Sequence, residues 1–203
     1  MVEAFAKEIS MPRPDSILII DGHPDPSPDR ICHALVDAYG GGARERGAEV
    51  RVHRIADLKL PPLETRAAWE APPSALVAGL QDDLRWARHL VLVFPLWLGD
   101  MPAALKAYLE QILRPGFAVP APRTSGGGLN GRSARVIVTM GMPSAFYRLW
   151  YGAHSVKSLA RNVLNFCGVA PVRTTLIGLV EGAGPERTAR RIAAIRELGR
   201  QRA

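Results

Sequence analysis

Three short stretches of this chain carry residue types that could do chemistry together. The first, Gly22-His23-Pro24-Asp25-Pro26-Ser27-Pro28-Asp29-Arg30, follows an apolar run and precedes a helical pattern. A helix start leaves backbone N–H groups unpaired and carries the positive end of the peptide dipole, so it favours an anion such as a phosphate. His23, Ser27 and Arg30 would add side-chain donors there. A rigid proline turn ending in a helix cap is the competing reading. The second stretch is Phe94-Pro95-Leu96-Trp97-Leu98-Gly99-Asp100-Met101-Pro102. Loops are normally polar, and one built from aromatic and aliphatic side chains suits a flat heteroaromatic ring, a subunit contact, or both. The third is Thr139-Met140-Gly141-Met142-Pro143, followed by Tyr147 and His154. Gly141 lets the backbone approach a ligand closely. Tyr147 and His154 could donate hydrogen bonds toward developing negative charge, although such residues in a loop are more often structural.

Other chemistries find less support. Gly126-Gly127-Gly128-Leu129-Asn130-Gly131 spells G-x-G-x-x-G, but a dinucleotide fingerprint must follow a strand and open a helix. This run follows a loop and precedes a strand, so it reads as a flexible loop, and no Walker lysine accompanies it. No G-x-S-x-G elbow is present. His33, His53 and His89 share no ligand spacing and read as ordinary residues, so no metal is expected. Cys32 and Cys167 form neither a CxxC pair nor a disulfide framework, which fits a reducing compartment.

Positioning the three stretches requires a regular frame. Ser16 to Asp21 (SILIID) reads as a buried strand running into the first stretch. Asp29 is placed to cap the helix that follows, with Ile31, Leu35 and Val36 among its apolar positions, while Gly40-Gly41-Gly42 weakens its far end. Glu49 to Ile55 alternates in polarity and predicts a second strand. Leu60 to Pro73 is proline-rich, and Ser74 can cap a second helix bearing Leu76, Val77, Leu80 and Leu84. His89 to Phe94 (HLVLVF) lacks alternation, as a strand covered on both faces should. Pro102 fits the first turn of a third helix carrying Leu105, Leu109 and Ile112. Then come a long loop from Arg114 to Arg132, a fourth strand from Arg135 to Thr139, a helix from about Ser155 to Phe166, and a fifth strand from Val172 to Val180. An arginine-rich helix with a stripe of Ala189, Ile192, Ala193 and Ile195 closes the chain. Repeated strand–helix alternation over 203 residues predicts one α/β domain, 1–203, with parallel strands and helices on both faces. Ligands of such sheets sit beyond the carboxyl ends of the strands, where all three stretches fall.

The chain carries a net charge of +7, much of it from Arg187, Arg190, Arg191, Arg196, Arg200 and Arg202. A solvated face of the terminal helix is the plain reading of that cluster. No zinc-finger spacing, RNA-recognition signature or basic heptad accompanies it, so no nucleic-acid partner is expected. No run of about 18 apolar residues is available to span a membrane, and none is expected to insert. Met1 to Ser10 carries Glu3 and Glu8 without a long apolar run, unlike a secretory signal, so a cytoplasmic location is expected.

Together the motifs resemble a known family. GHPDP after the first strand, FPLWLGDMPAALKAYLEQIL, GFAV, and VTMGMPSAFY with a downstream His resemble the flavodoxin-like NAD(P)H:quinone oxidoreductases, or diaphorases, over roughly Ser16 to Val180. The resemblance implies a flavodoxin-like three-layer fold with a five-stranded parallel sheet, and a non-covalently bound flavin: FMN, with FAD as the alternative. It implies that His23, Ser27, Arg30 and Cys32 hold the phosphate region. By the same resemblance Pro95, Leu96, Trp97, Leu98 and Gly99 line one edge and face of the ring, and Thr139, Met140, Gly141 and Met142 approach the other edge. Tyr147 and His154 match the catalytic Tyr and His beside the ring. The interval between them is longer than in the family, which makes Tyr151 an alternative to Tyr147. The chain also departs from the family at Asp29-Arg30-Ile31-Cys32, where relatives carry a small polar residue and an asparagine, and at Leu98, where many carry an aromatic. The implied activity is ping-pong hydride transfer from NADPH or NADH through the flavin to a quinone or similar acceptor. A homodimer is implied, with Trp69 and the Arg114 to Arg132 loop as candidate contributors to the two-fold interface. Azo or nitro reduction, and a peripheral regulatory subunit of a potassium-efflux transporter, are the alternative functions.

Overall fold

The structure is a computed structural model that describes residues 16–119 and 128–201. Residues 1–10, residues 120–127 of the expected long loop with Gly126 and Gly127, and Arg202 lie outside the described residues.

The unbroken apolar runs become the centre of a sheet. β1 (Ser16–Asp21) and β3 (His89–Pro95) are buried along their whole length. β2 (Glu49–Arg54), β4 (Arg132–Thr139) and β5 (Val169–Ile177) complete a five-stranded sheet in the order β2-β1-β3-β4-β5, every pair parallel. This is the α/β architecture the sequence predicts, with the winding direction reversing between β1 and β3. Alternate residues of one strand feed separate cores. Ile17, Ile19, Val91 and Val93 face α1 (Ile31–Arg44) and α8 (Pro185–Gln201), whereas Leu18, Ile20, Leu90, Leu92 and Phe94 face α4 (Ala75–Trp86) and α5 (Ala103–Ile112).

Several expectations are corrected by packing. The glycine triplet, expected to weaken the far end of α1, lies inside a helix that runs on to Arg44. Its purpose is close helix contact: a Cβ on Gly42 would lie 1.9 Å from the Arg196 carbonyl oxygen, and one on Gly199 would lie 2.1 Å from that of Tyr39. The contact stripe of α8 is accordingly Ile192, Ile195, Leu198 and Gly199, while Ala189 and Ala193 face solvent. Asp29 is not the cap of α1. Arg30 occupies that position without a side-chain cap, because Asp29 already accepts the Ser27 hydroxyl at 2.7 Å. Ser74 does cap α4, accepting the Val77 N–H at 3.3 Å.

A short helix, α2 (Ile55–Leu58), precedes the proline-rich passage, which itself contains another, α3 (Arg66–Glu70). The expected loop before His154 contains α6 (Ser144–Leu149), and α7 (His154–Ser158) continues as a π-helical stretch, Leu159–Asn165. β4 begins at Arg132 rather than Arg135 because carbonyls of Leu84, Arg85 and Ala87 accept the Arg132 guanidinium. β5 ends at Ile177 because the chain then bonds along the loop after β4, Leu179 N–H to Met142 and Val180 N–H to Met140. Gly128 to Gly131 lead into β4, not into a helix, in keeping with a loop role for the glycine run. No helix among the described residues is long and apolar enough to cross a membrane.

Candidate functional site

Parallel register decides where the three stretches meet. Asp21 pairs with Val93 and Pro95 with Thr139, so the loops after β1, β3 and β4 leave the same carboxyl rim. Backbone bonds stitch them: Gly22 N–H to Val93 at 2.7 Å and Leu96 N–H to Thr139 at 2.8 Å. The rings of His23 and Trp97 meet edge to face with centroids 5.7 Å apart. Cys32 Sγ lies 3.4 Å from Thr139 Oγ1, which ties the start of α1 to the end of β4.

The first loop satisfies much of its own polarity. The Asp25 carboxylate accepts the Ser27 N–H at 2.9 Å and Arg30 Nε at 2.8 Å. The Ser27 N–H and Arg30 hold the Asp25 carboxyl below its usual pKa, and the Ser27 hydroxyl does the same for Asp29. Both Ser27 donors and the Arg30 Nε are therefore engaged within the loop. His23 is different. It is buried, and its Nδ1 accepts the Asp25 N–H at 3.1 Å, so the ring proton sits on Nε2. Burial first, then the neighbouring His33, lowers its pKa. What remains for an anion is His23 Nε2, the terminal guanidinium N–H groups of the half-exposed Arg30, and the first N–H groups of α1, a helix with neither a side-chain cap nor an acidic residue in its first turn. The Cys32 side chain points into the core and burial raises its thiol to about 12, so only its backbone can face a ligand.

The second loop is a tight hairpin. Trp97 and Asp100 exchange backbone bonds at 2.8 and 2.9 Å. Leu98 (φ 49°) and Gly99 (φ 81°) between them form the left-handed turn that a two-residue connection prefers. Glycine relieves the backbone strain at the second position; Leu98 bears it at the first. The N–H groups of Leu98 and Gly99 make no backbone bond among the described residues, and Trp97 is about half exposed at 48%. Pro95 is buried and Leu96 packs partly on the core.

In the third stretch Thr139 and Met140 are buried, Met142 is half-buried, and Gly141 is exposed. The Glu181 carboxylate lies 3.2 Å from where a Gly141 Cβ would be. Tyr147 is buried, and its hydroxyl has no hydrogen-bond partner of good geometry among the described residues, although Ser155 and Val156 lie near it. Burial raises its pKa against the pull of those two groups. Tyr151 is half exposed and stacks on Tyr147 with centroids 6.4 Å apart. His154 is exposed at the start of α7, its ring against Gly152. The next residue, Ser155, donates to the Asp100 carboxylate, which fastens α7 to the Trp97 hairpin.

The sequence matches the model of a family described as having a flavodoxin-like fold over residues 15–201. The chain belongs to this flavodoxin-like family. A Haemophilus influenzae protein named an uncharacterized NAD(P)H oxidoreductase is 26% identical over 167 residues, covering 79% of this chain and 82% of the relative. A Jannaschia protein named FMN-dependent NADH:quinone oxidoreductase 1 is 27% identical over 143 residues, covering 68% and 73%. The solved NAD(P)H:quinone oxidoreductase of Methanothermobacter marburgensis superposes with a TM-score of 0.78 at 18% identity, covering 92% and 96%. A Bacillus anthracis FMN-dependent NADH-azoreductase in complex with FMN gives 0.72 at 19%, covering 93% and 98%. These likenesses bear out the family the motifs resemble.

Sequence reasoning on this flavodoxin-like chain missed Asp21, His33, Asp100 and Ser155 as members of the rim. A carboxylate closing the apolar run Ile17 to Ile20, Asp21, was the available signal.

Proposed function

We propose that this chain is a flavin-dependent NAD(P)H oxidoreductase that binds FMN and passes reducing equivalents to a quinone-like acceptor. The observation that carries the reading is the convergence of His23, the Trp97 hairpin and the Thr139 to Met142 segment on one sheet rim. The residues fit a flavin phosphate ester on three counts. The uncapped start of α1 beside a neutral, Nε2-protonated His23 suits a phosphate. The N–H groups of Leu98 and Gly99 in the hairpin, which make no backbone bond among the described residues, suit a ring edge. The orphan Tyr147 hydroxyl lacks a partner that a bound ring could provide. Two relatives are named FMN-dependent NADH:quinone oxidoreductases, which supports FMN over FAD.

Bound FMN supplies reversible two-electron chemistry between a nicotinamide and an acceptor. The chain supplies the rest. His23 and α1 anchor the phosphate; Leu96 and Trp97 keep water from one side of the ring. Tyr147 and His154 hold donors toward negative charge that develops during reduction, where preorganised donors act most strongly. The Asp100–Ser155 bond keeps the hairpin and α7 in register for that task. An apolar groove of about 420 Å³, with Trp69, Leu109, Leu113, Val119 and Phe166 in its lining, suits a second copy of the chain and supports a homodimer. Both free cysteines are buried, which accords with a reducing cytoplasm. The oxidoreductase names of the relatives favour an enzyme over a transporter subunit.

Purified protein tests the reading. A yellow protein whose released flavin has the mass of FMN, oxidising NADH or NADPH with a soluble benzoquinone and giving parallel double-reciprocal lines, is expected. Colourless protein that neither FMN nor FAD reconstitutes would overturn it. An azo dye tried beside the quinone separates the two acceptor classes.

A further inference from the structure

Beneath the first loop lies a buried polar cluster. Asp21, at the end of β1, has no exposed surface. His33, in the first turn of α1, reaches it: His33 Nδ1 lies 2.6 Å from Asp21 Oδ2, and Nε2 lies 3.0 Å from the Asp25 carbonyl oxygen. A carboxylate and a carbonyl only accept, so both contacts are hydrogen bonds only when each ring nitrogen bears a proton. The geometry is that of an imidazolium. From β2, Arg54 donates to Asp21 and to Asp37, each at 3.1 Å. From the loop, the His23 ring stands edge-on at 5.5 Å, and the Asp25 carboxylate is paired with Arg30.

The contacts form a relay of position. His33 holds the Asp25 carbonyl, and the Asp25 N–H holds His23 Nδ1 at 3.1 Å. That second bond is what leaves His23 Nε2 as the free donor. We propose that His33 is a positioning residue for the cofactor phosphate: its imidazolium neutralises Asp21 and pins Asp25, and Asp25 aims His23. The proposal rests on the flavin reading above.

Removal of the His33 ring has a definite direction. The Nε2 donor to the Asp25 carbonyl is lost, and Asp21 keeps Arg54 but loses its closer side-chain partner. Affinity for a phosphorylated flavin then falls, while riboflavin, which lacks the phosphate, is little affected.

The test measures FMN and riboflavin dissociation constants by fluorescence quenching for the wild-type protein and His33→Gln in one buffer. The nitrogen chemical shifts of the histidine rings are recorded in the same buffer. The preference for FMN over riboflavin should be about tenfold or more smaller in His33→Gln, with riboflavin affinity unchanged. A His33→Gln protein with the wild-type preference overturns the proposal while leaving the flavin reading intact. So does a wild-type His33 ring with a proton on only one nitrogen, a measurement independent of whether the variant folds. Wild-type protein that binds neither flavin overturns the flavin reading, and this proposal with it.

Discussion

Replacing Tyr147 by Phe should act in opposite directions on stability and on turnover. The hydroxyl is buried without a well-placed partner among the described residues. Leaving such a group unpaired costs about 1–3 kcal/mol. Phe keeps the ring where it packs against the core of the α4–α5 face and removes only the oxygen. The flavin-free variant is therefore expected to gain about 1 kcal/mol, a rise of about 2–4 °C in melting temperature for a domain of this size. On the proposed function, the same change in the flavin-loaded protein removes a donor to the charge that develops during reduction. Flavin reduction by NADH should slow by between about 10-fold and about 100-fold. Scanning calorimetry of flavin-free protein and stopped-flow absorbance of the loaded protein read the two effects separately. A lower melting temperature would show that the hydroxyl is hydrogen-bonded in solution. An unchanged reduction rate would remove Tyr147 from the chemistry and point to Tyr151, which stacks on it at 6.4 Å.

Acid should destabilise the fold from the opposite end of the sheet. Burial first, then Arg135 and Arg173, drives the His89 pKa from 6.5 to about 4. Between those values the unfolded chain binds the proton and the folded one does not, so stability falls as pH drops from 6.5 to about 4, by up to about 3 kcal/mol. Urea unfolding of His89→Gln should show a shallower loss over that window, and an identical pH slope would contradict the assignment. Gly42→Ala places a methyl 1.9 Å from the Arg196 carbonyl oxygen, so α1 and α8 must separate at a cost of about 1–3 kcal/mol. Flavin affinity should survive that change; unaltered stability in denaturant melts would refute the close-packing explanation. Trp97→Ala should leave stability within about 0.5 kcal/mol because the ring is half exposed, yet weaken FMN binding about tenfold through lost stacking, as fluorescence titration would read. Equal FMN affinity in the two proteins would move the ring site away from the hairpin.

The frame was legible because burial writes itself into apolar runs. SILIID and HLVLVF name β1 and β3 almost to the residue, and a parallel sheet then places the loops after them on one rim. Short elements set by tertiary bonds were not legible. α3 is held by Arg114, whose guanidinium donates to the Ala68 and Ala71 carbonyls from a distant part of the chain. The glycine triplet of α1 misleads for a related reason: propensity counts its cost inside one helix, whereas its benefit is contact with another helix 150 or so residues away in the chain. Within the site, sequence identified the residues at the rim but not their bonding. Ser27 and Arg30 are in the loop as expected, yet both Ser27 donors and the Arg30 Nε are turned inward to Asp25 and Asp29. His33 looked ordinary because its partner Asp21 belongs to the strand, not to the motif.

That inward bonding resolves an apparent contradiction in the first loop. An acidic stretch with Asp21, Asp25 and Asp29 is a poor place for a phosphate if the carboxylates stand free. None of them does: Arg54 and His33 cover Asp21, Arg30 and the Ser27 N–H cover Asp25, and the Ser27 hydroxyl covers Asp29. Each pairing also fixes a loop residue before any ligand arrives, and Pro24, Pro26 and Pro28 restrict the remaining backbone. A loop already ordered loses little conformational entropy on binding, so more of the interaction with a phosphate appears as affinity. The carboxylates thus act as internal struts whose charge is neutralised locally, and the donors left for a ligand are those of His23, the uncapped start of α1 and the terminal guanidinium nitrogens of Arg30.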